Sequence, residues 1–273
     1  GEQISSISKI YIKEGVNIQS SSVKPITYNG FWEDEIKVNT EKSNREIIDG
    51  TPFRVITFRH SVLTAQTSGK LSIPSSEIET LISKRGEIIG YDFFNRPQYE
   101  QIRYSKSLFT KEKIIKVKEV PYPKPKNFYG TVSRSFEIDS EIDKNILKTS
   151  EAISFKLSFR GNGNINMLDP FNIEFPESFE VFDPNIIDKT FVGNNSTGGT
   201  KTFEYILIPR EVGHFIIPSI KFSYFNPKEK RYVETSTEEF SIKVEQGKEY
   251  VSTDTNNYSA KNITILTDTE FQE

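Results

Sequence analysis

The chain repeats itself, and that repeat limits the folds open to it more than any other feature. Gly1-Glu2-Gln3-Ile4-Ser5 returns as Ser150-Glu151-Ala152-Ile153-Ser154, and Gly50-Thr51-Pro52-Phe53 returns as Gly199-Thr200-Lys201-Thr202-Phe203. Ser68-Gly69-Lys70-Leu71-Ser72-Ile73-Pro74-Ser75 returns as Val212-Gly213-His214-Phe215-Ile216-Ile217-Pro218-Ser219. The matches keep their order, and the step from Glu2 to Gly50 equals the step from Glu151 to Gly199. Matches in register describe one structural unit used twice in tandem. A length of 273 residues agrees, since about 150 residues per domain is the usual scale.

Each unit reads as β. Ile153, Phe155, Leu157 and Phe159 alternate with Ser154, Lys156, Ser158 and Arg160, the pattern of a strand with one buried and one wet face. Phe203-Tyr205-Leu207, Ile220-Phe222-Tyr224, Phe240-Ile242-Val244, Phe53-Val55-Thr57 and Leu71-Ile73 repeat it, with Gly, Asn and Pro clusters between them. Helical spacing is confined to Ser76–Lys84, where Ile78, Leu81 and Ile82 fit a helix and Ile78-Thr80-Ile82 fit a strand equally well. The expectation is an all-β chain of two tandem immunoglobulin-like β-sandwich domains. The first spans residues 1–120 and carries an aromatic insertion at about 76–110, the second spans 127–246, and a polar tail with Ile263 and Ile265 as its apolar anchor fills 247–273. Residues 121–126, with prolines at 121, 123 and 125, read as an extended, semi-rigid polyproline linker. The second half has a strand-like segment (Val132, Phe136, Ile138) ahead of its Glu151 motif, and nothing stands ahead of Glu2. On that alignment the first sandwich lacks its opening strand, and the expectation is a piece of a longer chain.

Composition removes several classes of function. There is no cysteine, so disulfides, thiolate nucleophiles and zinc thiolate centres are excluded. A net charge of −3 with no long run of one sign is a poor footprint for nucleic acid. No stretch approaches the roughly 18 apolar residues of a spanning helix, and no signal peptide is visible ahead of Gln3.

Several phrases taken together resemble one family. Gly30-Phe31-Trp32-Glu33-Asp34-Glu35, Ser68–Pro74, Asn127-Phe128-Tyr129-Gly130-Thr131-Val132, Gly161–Ile165, Phe182-Asp183-Pro184, Phe203–Arg210, Gly213–Pro218 and Phe222–Pro227 are similar, in that order, to the BatD proteins of the bacterial aerotolerance operon. The resemblance implies a protein with a signal peptide, tandem β-sandwiches on the periplasmic side of the inner membrane, and a C-terminal anchor, the last lying outside this chain. It also implies neighbours: von Willebrand A-type membrane proteins, tetratricopeptide-repeat proteins and, indirectly, a MoxR-type AAA+ ATPase. It implies no catalytic residues. Asn226 stands where the family often has Asp, so no cation site carries over there.

The residues themselves announce no reaction. His60 and His214 are the only histidines, lie in different halves and read as surface or strand-flanking residues; zinc needs three or four convergent ligands. Asp139, Glu141 and Asp143 read as a solvated loop, and the Gly193–Gly199 stretch as a long hairpin loop without a phosphate-binding pattern. Trp32 reads as a packing anchor. We therefore expect no catalytic, metal or cofactor site. The one candidate for partner binding is the aromatic insertion, with Tyr91, Phe93, Phe94, Arg96 and Tyr99 and continuing to Tyr104 and Phe109. Rings and arginine are the composition of interface anchors, although rings that plug the end of a sandwich are the more ordinary reading. The function expected is a non-catalytic scaffold of an envelope complex concerned with oxygen tolerance. The alternatives are a carbohydrate-binding or adhesive module and, further off, a hydrolase with a carboxylate pair.

Overall fold

A computed structural model describes residues 1–247. The chain is β throughout that range, with a single 3-10 turn at Ile165–Met167. The tail anchors Ile263 and Ile265 lie outside the described residues. The first half holds β1 (Gln3–Lys13), β2 (Val16–Val23), β3 (Phe31–Glu35), β4 (Asn44–Ile48), β5 (Thr51–Ala65), β6 (Gly69–Ile73), β7 (Glu77–Tyr91), β8 (Pro97–Phe109) and β9 (Lys113–Val117). β5 is the hub of one sheet, pairing with β1 on one side and with β3 and β4 on the other. β2, β7 and β8 form a second sheet, and β6 pairs with β9.

The second half holds β10 (Phe128–Val132), β11 (Phe136–Ile142), β12 (Ile146–Lys148), β13 (Ile153–Asn162), β14 (Phe179–Val181), β15 (Asn185–Val192), β16 (Thr197–Pro209), β17 (Gly213–Ile217), β18 (Lys221–Asn226), β19 (Arg231–Ser236) and β20 (Phe240–Glu245). Its hub is β16, with β13 and then β11 on one side and β14 and β15 on the other. β17 pairs with β20, and β18 with β19.

The repeat in the sequence is a repeat of pairing. Ile4 lies opposite Leu63 as Ile153 lies opposite Leu207. Gly69 lies opposite Val117 as Gly213 lies opposite Val244. The Pro-Ser pair after each of these strands closes the same clasp. Ser75 donates its hydroxyl to the Thr110 carbonyl at 2.6 Å, and Ser219 does so to Thr237 at 2.6 Å. The next backbone N–H, of Ser76 or Ile220, donates to that threonine's hydroxyl at 2.8 or 3.0 Å. The clasp makes β7 and β8 the counterparts of β18 and β19. Residues 76–110 are thus a lengthened hairpin that both domains possess, not an insertion, and the ambiguous Ser76–Lys84 stretch is strand.

The cores differ in substance. Nineteen buried apolar side chains form one cluster in the second half, and four do so between the two larger sheets of the first, Ile10, Ile12, Phe58 and Ile78. The cause can be read position by position. Ser6 and Ser61 face each other where the second domain has Phe155 and Tyr205, and Ser8 and Arg59 do so where it has Leu157 and Phe203. Each fully buried Phe or Leu contributes about 2 kcal/mol, so the second domain carries most of the apolar stabilisation. Burial pushes the Tyr205 phenol up to about 12, so it packs as a neutral ring. The Phe53-Val55-Thr57 alternation ends where the β1–β5 register slips at Phe58: Phe58 joins the core cluster, while His60, opposite the half-exposed Ile7, lies on the other face; an extra residue in one strand switches the face of all that follow.

The two halves touch through polar groups. Gln3 accepts from the Thr197 N–H at 2.9 Å and donates to the Thr197 hydroxyl at 2.7 Å. The Asn194 carbonyl takes the Ser5 hydroxyl at 3.0 Å and His60 Nε2 at 2.8 Å, so His60 is a buried junction residue rather than a surface one. The linker is not a polyproline rod: it bends, with a cis Tyr122–Pro123 peptide and a turn from the Phe128 N–H to the Pro125 carbonyl at 3.2 Å. Tyr232 holds it by donating to the Pro121 carbonyl at 2.7 Å.

Two outcomes are expected. Ser76 is buried with its hydroxyl unpartnered at the position of Ile220. Ser76→Ala therefore raises stability by about 1 kcal/mol, because an orphaned buried hydroxyl costs that much or more; chemical denaturation checks it. Gln3→Ala removes both bonds to Thr197 and lowers the first domain's midpoint by the equivalent of about 1–2 kcal/mol while the second domain's stays in place. Calorimetry that resolves the two transitions checks this.

Candidate interaction surface

The lengthened hairpin reaches beyond its own domain. β2 stops pairing with β7 at Val16 opposite Lys84, while β7 and β8 continue together to Tyr91 opposite Pro97. Seven further residues of strand give an arm of roughly 20 Å. Its register slips on either side of Ile88, so the arm is bulged and twisted.

The tip is a fixed turn. The Asn95 N–H donates to the Asp92 carbonyl at 2.9 Å, the Asp92 N–H donates to Arg96 at 2.9 Å, and Asn95 takes a φ of 58°. The Asp92 carboxylate accepts the N–H groups of Phe94 at 2.9 Å and Arg96 at 2.8 Å. Asp and Asn at these places are the ordinary chemistry of such a turn. Phe93 and Phe94 between them are not. Phe93 is 97% exposed and Phe94 71%, and their rings meet edge-on at 5.5 Å. The Arg96 guanidinium lies 5.4 Å from the Phe94 ring centre. Tyr91 is 61% exposed at the end of β7, and Tyr99, opposite Ile88, lies beneath Arg85 at 5.2 Å.

All five candidate residues are therefore brought onto one arm. None plugs the sandwich, which corrects the more ordinary reading of these rings. Tyr104 and Phe109 are also exposed, lower on β8. Sequence reasoning missed Ile88 and Ile89, both exposed beside the tip, and Arg85; the Ile-Ile-Gly-Tyr run was the available signal.

The other candidates resolve into structure. Trp32 is half exposed on β3, donates its indole N–H to Asp34 at 3.2 Å and is not a core anchor. His214 is exposed on β17. Asp139 and Glu141 project from β11, a strand rather than a loop, and Glu141 reaches Lys156 at 3.4 Å. Gly193–Gly199 is the β15–β16 hairpin, with Gly193 bonded to Ser196 at 3.0 Å and Asn194 turned toward the first domain. Asn226 is buried and organises its own turn by accepting from Lys228 at 3.0 Å and Glu229 at 3.2 Å. Among the described residues no group of three or more His, Asp and Glu is placed to hold a metal ion, and no helix is long and apolar enough to cross a membrane.

Comparison with known proteins adds one finding. Residues 140–244 match the family model described as the BatD DUF11 like domain. A search of curated proteins finds no match. The matched range runs from the middle of β11 to the penultimate residue of β20, which takes in most of the second domain's core. Over this range the second half of the chain is similar to the BatD DUF11 like domain.

Proposed function

We propose that the chain is a non-catalytic scaffold of the bacterial cell envelope, on the periplasmic side of the inner membrane, and that it holds partner proteins through the arm of its first domain. The observation that carries the reading is the Phe93-Phe94 apex: two large apolar rings held in water by a turn whose geometry does not need them. Rigid aromatic side chains flanked by arginine are the anchors that concentrate binding energy in protein interfaces. Their perpendicular planes do not make one continuous flat platform of the kind that lines a sugar-binding groove, which sets the protein partner ahead of the glycan. The partners proposed are the von Willebrand A-type and tetratricopeptide-repeat proteins of an aerotolerance complex, with the MoxR-type ATPase reached through them. The tandem immunoglobulin-like arrangement is part of the same reading, and the matching ladders and clasps of the two halves support it.

The test is the triple variant Tyr91→Ala, Phe93→Ala, Phe94→Ala. Exposed side chains away from the core change stability by about 0.5 kcal/mol or less, so the variant melts with the parent protein. Co-purification of the partner proteins from solubilised membranes falls at least about tenfold, since a single anchor residue contributes 2 kcal/mol or more. Full recovery of the partners with the triple variant sinks the arm as the contact.

A further inference from the structure

The arm has two unlike faces. Gln101, Tyr99 and Pro97 share one side of β8, and the ladder sets Arg85, Ile88 and Tyr91 opposite them. Glu100 and Ile102 alternate to the other side, where both lie against Gly86. The first side therefore gathers rings, an isoleucine and an arginine, and Glu100 is kept off it. The tip repeats the combination with Phe94 and Arg96.

The two arginines are held in place without being neutralised. The Arg85 guanidinium lies 5.2 Å from the centre of the Tyr99 ring, and that of Arg96 lies 5.4 Å from the centre of Phe94. A guanidinium resting on a ring face keeps its fork of N–H donors free at its rim for a carboxylate. The arm itself provides none. Among the described residues neither arginine is in an ion pair, and nor is Glu87, which sits in the bulge between Arg85 and Ile88. The Asp92 carboxylate is taken up by two N–H groups of the turn. The shorter hairpin of the second domain does the opposite: its Arg231 reaches Glu229 of the same turn at 2.6 Å.

We propose that the surface receiving the arm is an apolar cleft rimmed with carboxylates, on a folded partner protein. This inference rests on the arm being the contact, and it names the chemistry of what the arm meets. Phe93 and Phe94 enter the cleft, and Arg85 and Arg96 pair with Asp or Glu side chains at its rim. Each guanidinium is already held flat on its ring, so little freedom is lost when it takes up a carboxylate through two parallel N–H bonds. Pairs at a rim remain in contact with water and so escape the cost of burying charge. They add speed of encounter and choice of partner to the affinity that the rings supply.

The test compares capture of the partner proteins from solubilised membranes by the whole chain and its variants. Both arginines are exposed, so Arg85→Gln with Arg96→Gln melts with the parent protein. Its capture at low salt falls about tenfold or more, the scale of losing close charge pairs at an interface. The parent's capture falls comparably when salt is raised to about 0.5 M, whereas what the double variant retains does not respond to salt. Arg85→Lys with Arg96→Lys keeps the salt response and recovers only part of the capture, because an ammonium lacks the fork. Full capture by the double glutamine variant, where the triple alanine variant loses it, overturns the acidic rim and leaves the arm as the contact. Full capture by both removes the arm and this inference with it. Binding of the parent to phosphatidylglycerol vesicles that the double glutamine variant loses assigns the arginines to lipid phosphates and overturns the protein partner.

Discussion

The ladder between each domain's hub strand and the strand before it in the motif order organises the molecule. β5 and β16 are the longest strands of their sheets, and the other strands of those sheets take their places from them. With a side-chain period of two, one register decides which residues enter the core. In the second domain that register puts Phe155, Leu157, Phe159, Phe203 and Leu207 wholly out of water. In the first the same register delivers serines and an arginine to the corresponding places, and the apolar cluster is displaced toward Ile10, Ile12, Phe58 and Ile78.

That difference divides the labour between the halves. The second domain is well filled, and its Gly193–Thr197 loop meets the first through Gln3, Ser5 and His60. The bonds are short, directional and polar, so they hold an orientation while adding little apolar burial. The first domain gives up core for surface. Its hairpin is the longer version of β18–β19, and the added length is spent beyond the sheet, where it raises an apolar tip into solvent. A rigid base with a projecting aromatic arm is the arrangement on which the proposed contact with a partner rests.

Much of this was legible in the residues. Alternation at Ile153–Phe159 and Phe203–Leu207 located the core strands, and the repeated Gly-Thr and Pro-Ser phrases located the shared turns. What was not legible depended on long-range pairing. The slip at Phe58 is a matter of how β5 meets β1, and the burial of His60 comes from Asn194 of the other half lying against it. The hairpin at 77–109 looked like an insertion because its added length hides the clasp at Ser75 and Thr110 that ties it to β18–β19. The exposure of Phe93 and Phe94 follows from the length of the arm relative to β2, and no local pattern in Tyr91–Tyr99 reports that length.

The most direct measurement places a photo-cross-linking amino acid at position 93, and separately at Ile47, an exposed apolar site on β4 rather than on the arm. Irradiation in intact cells is followed by identification of the adducts. The account predicts a discrete adduct with an envelope partner protein from position 93 and none from position 47. Equal, diffuse labelling from both positions, or no adduct from 93 while the partners still co-purify, would contradict it.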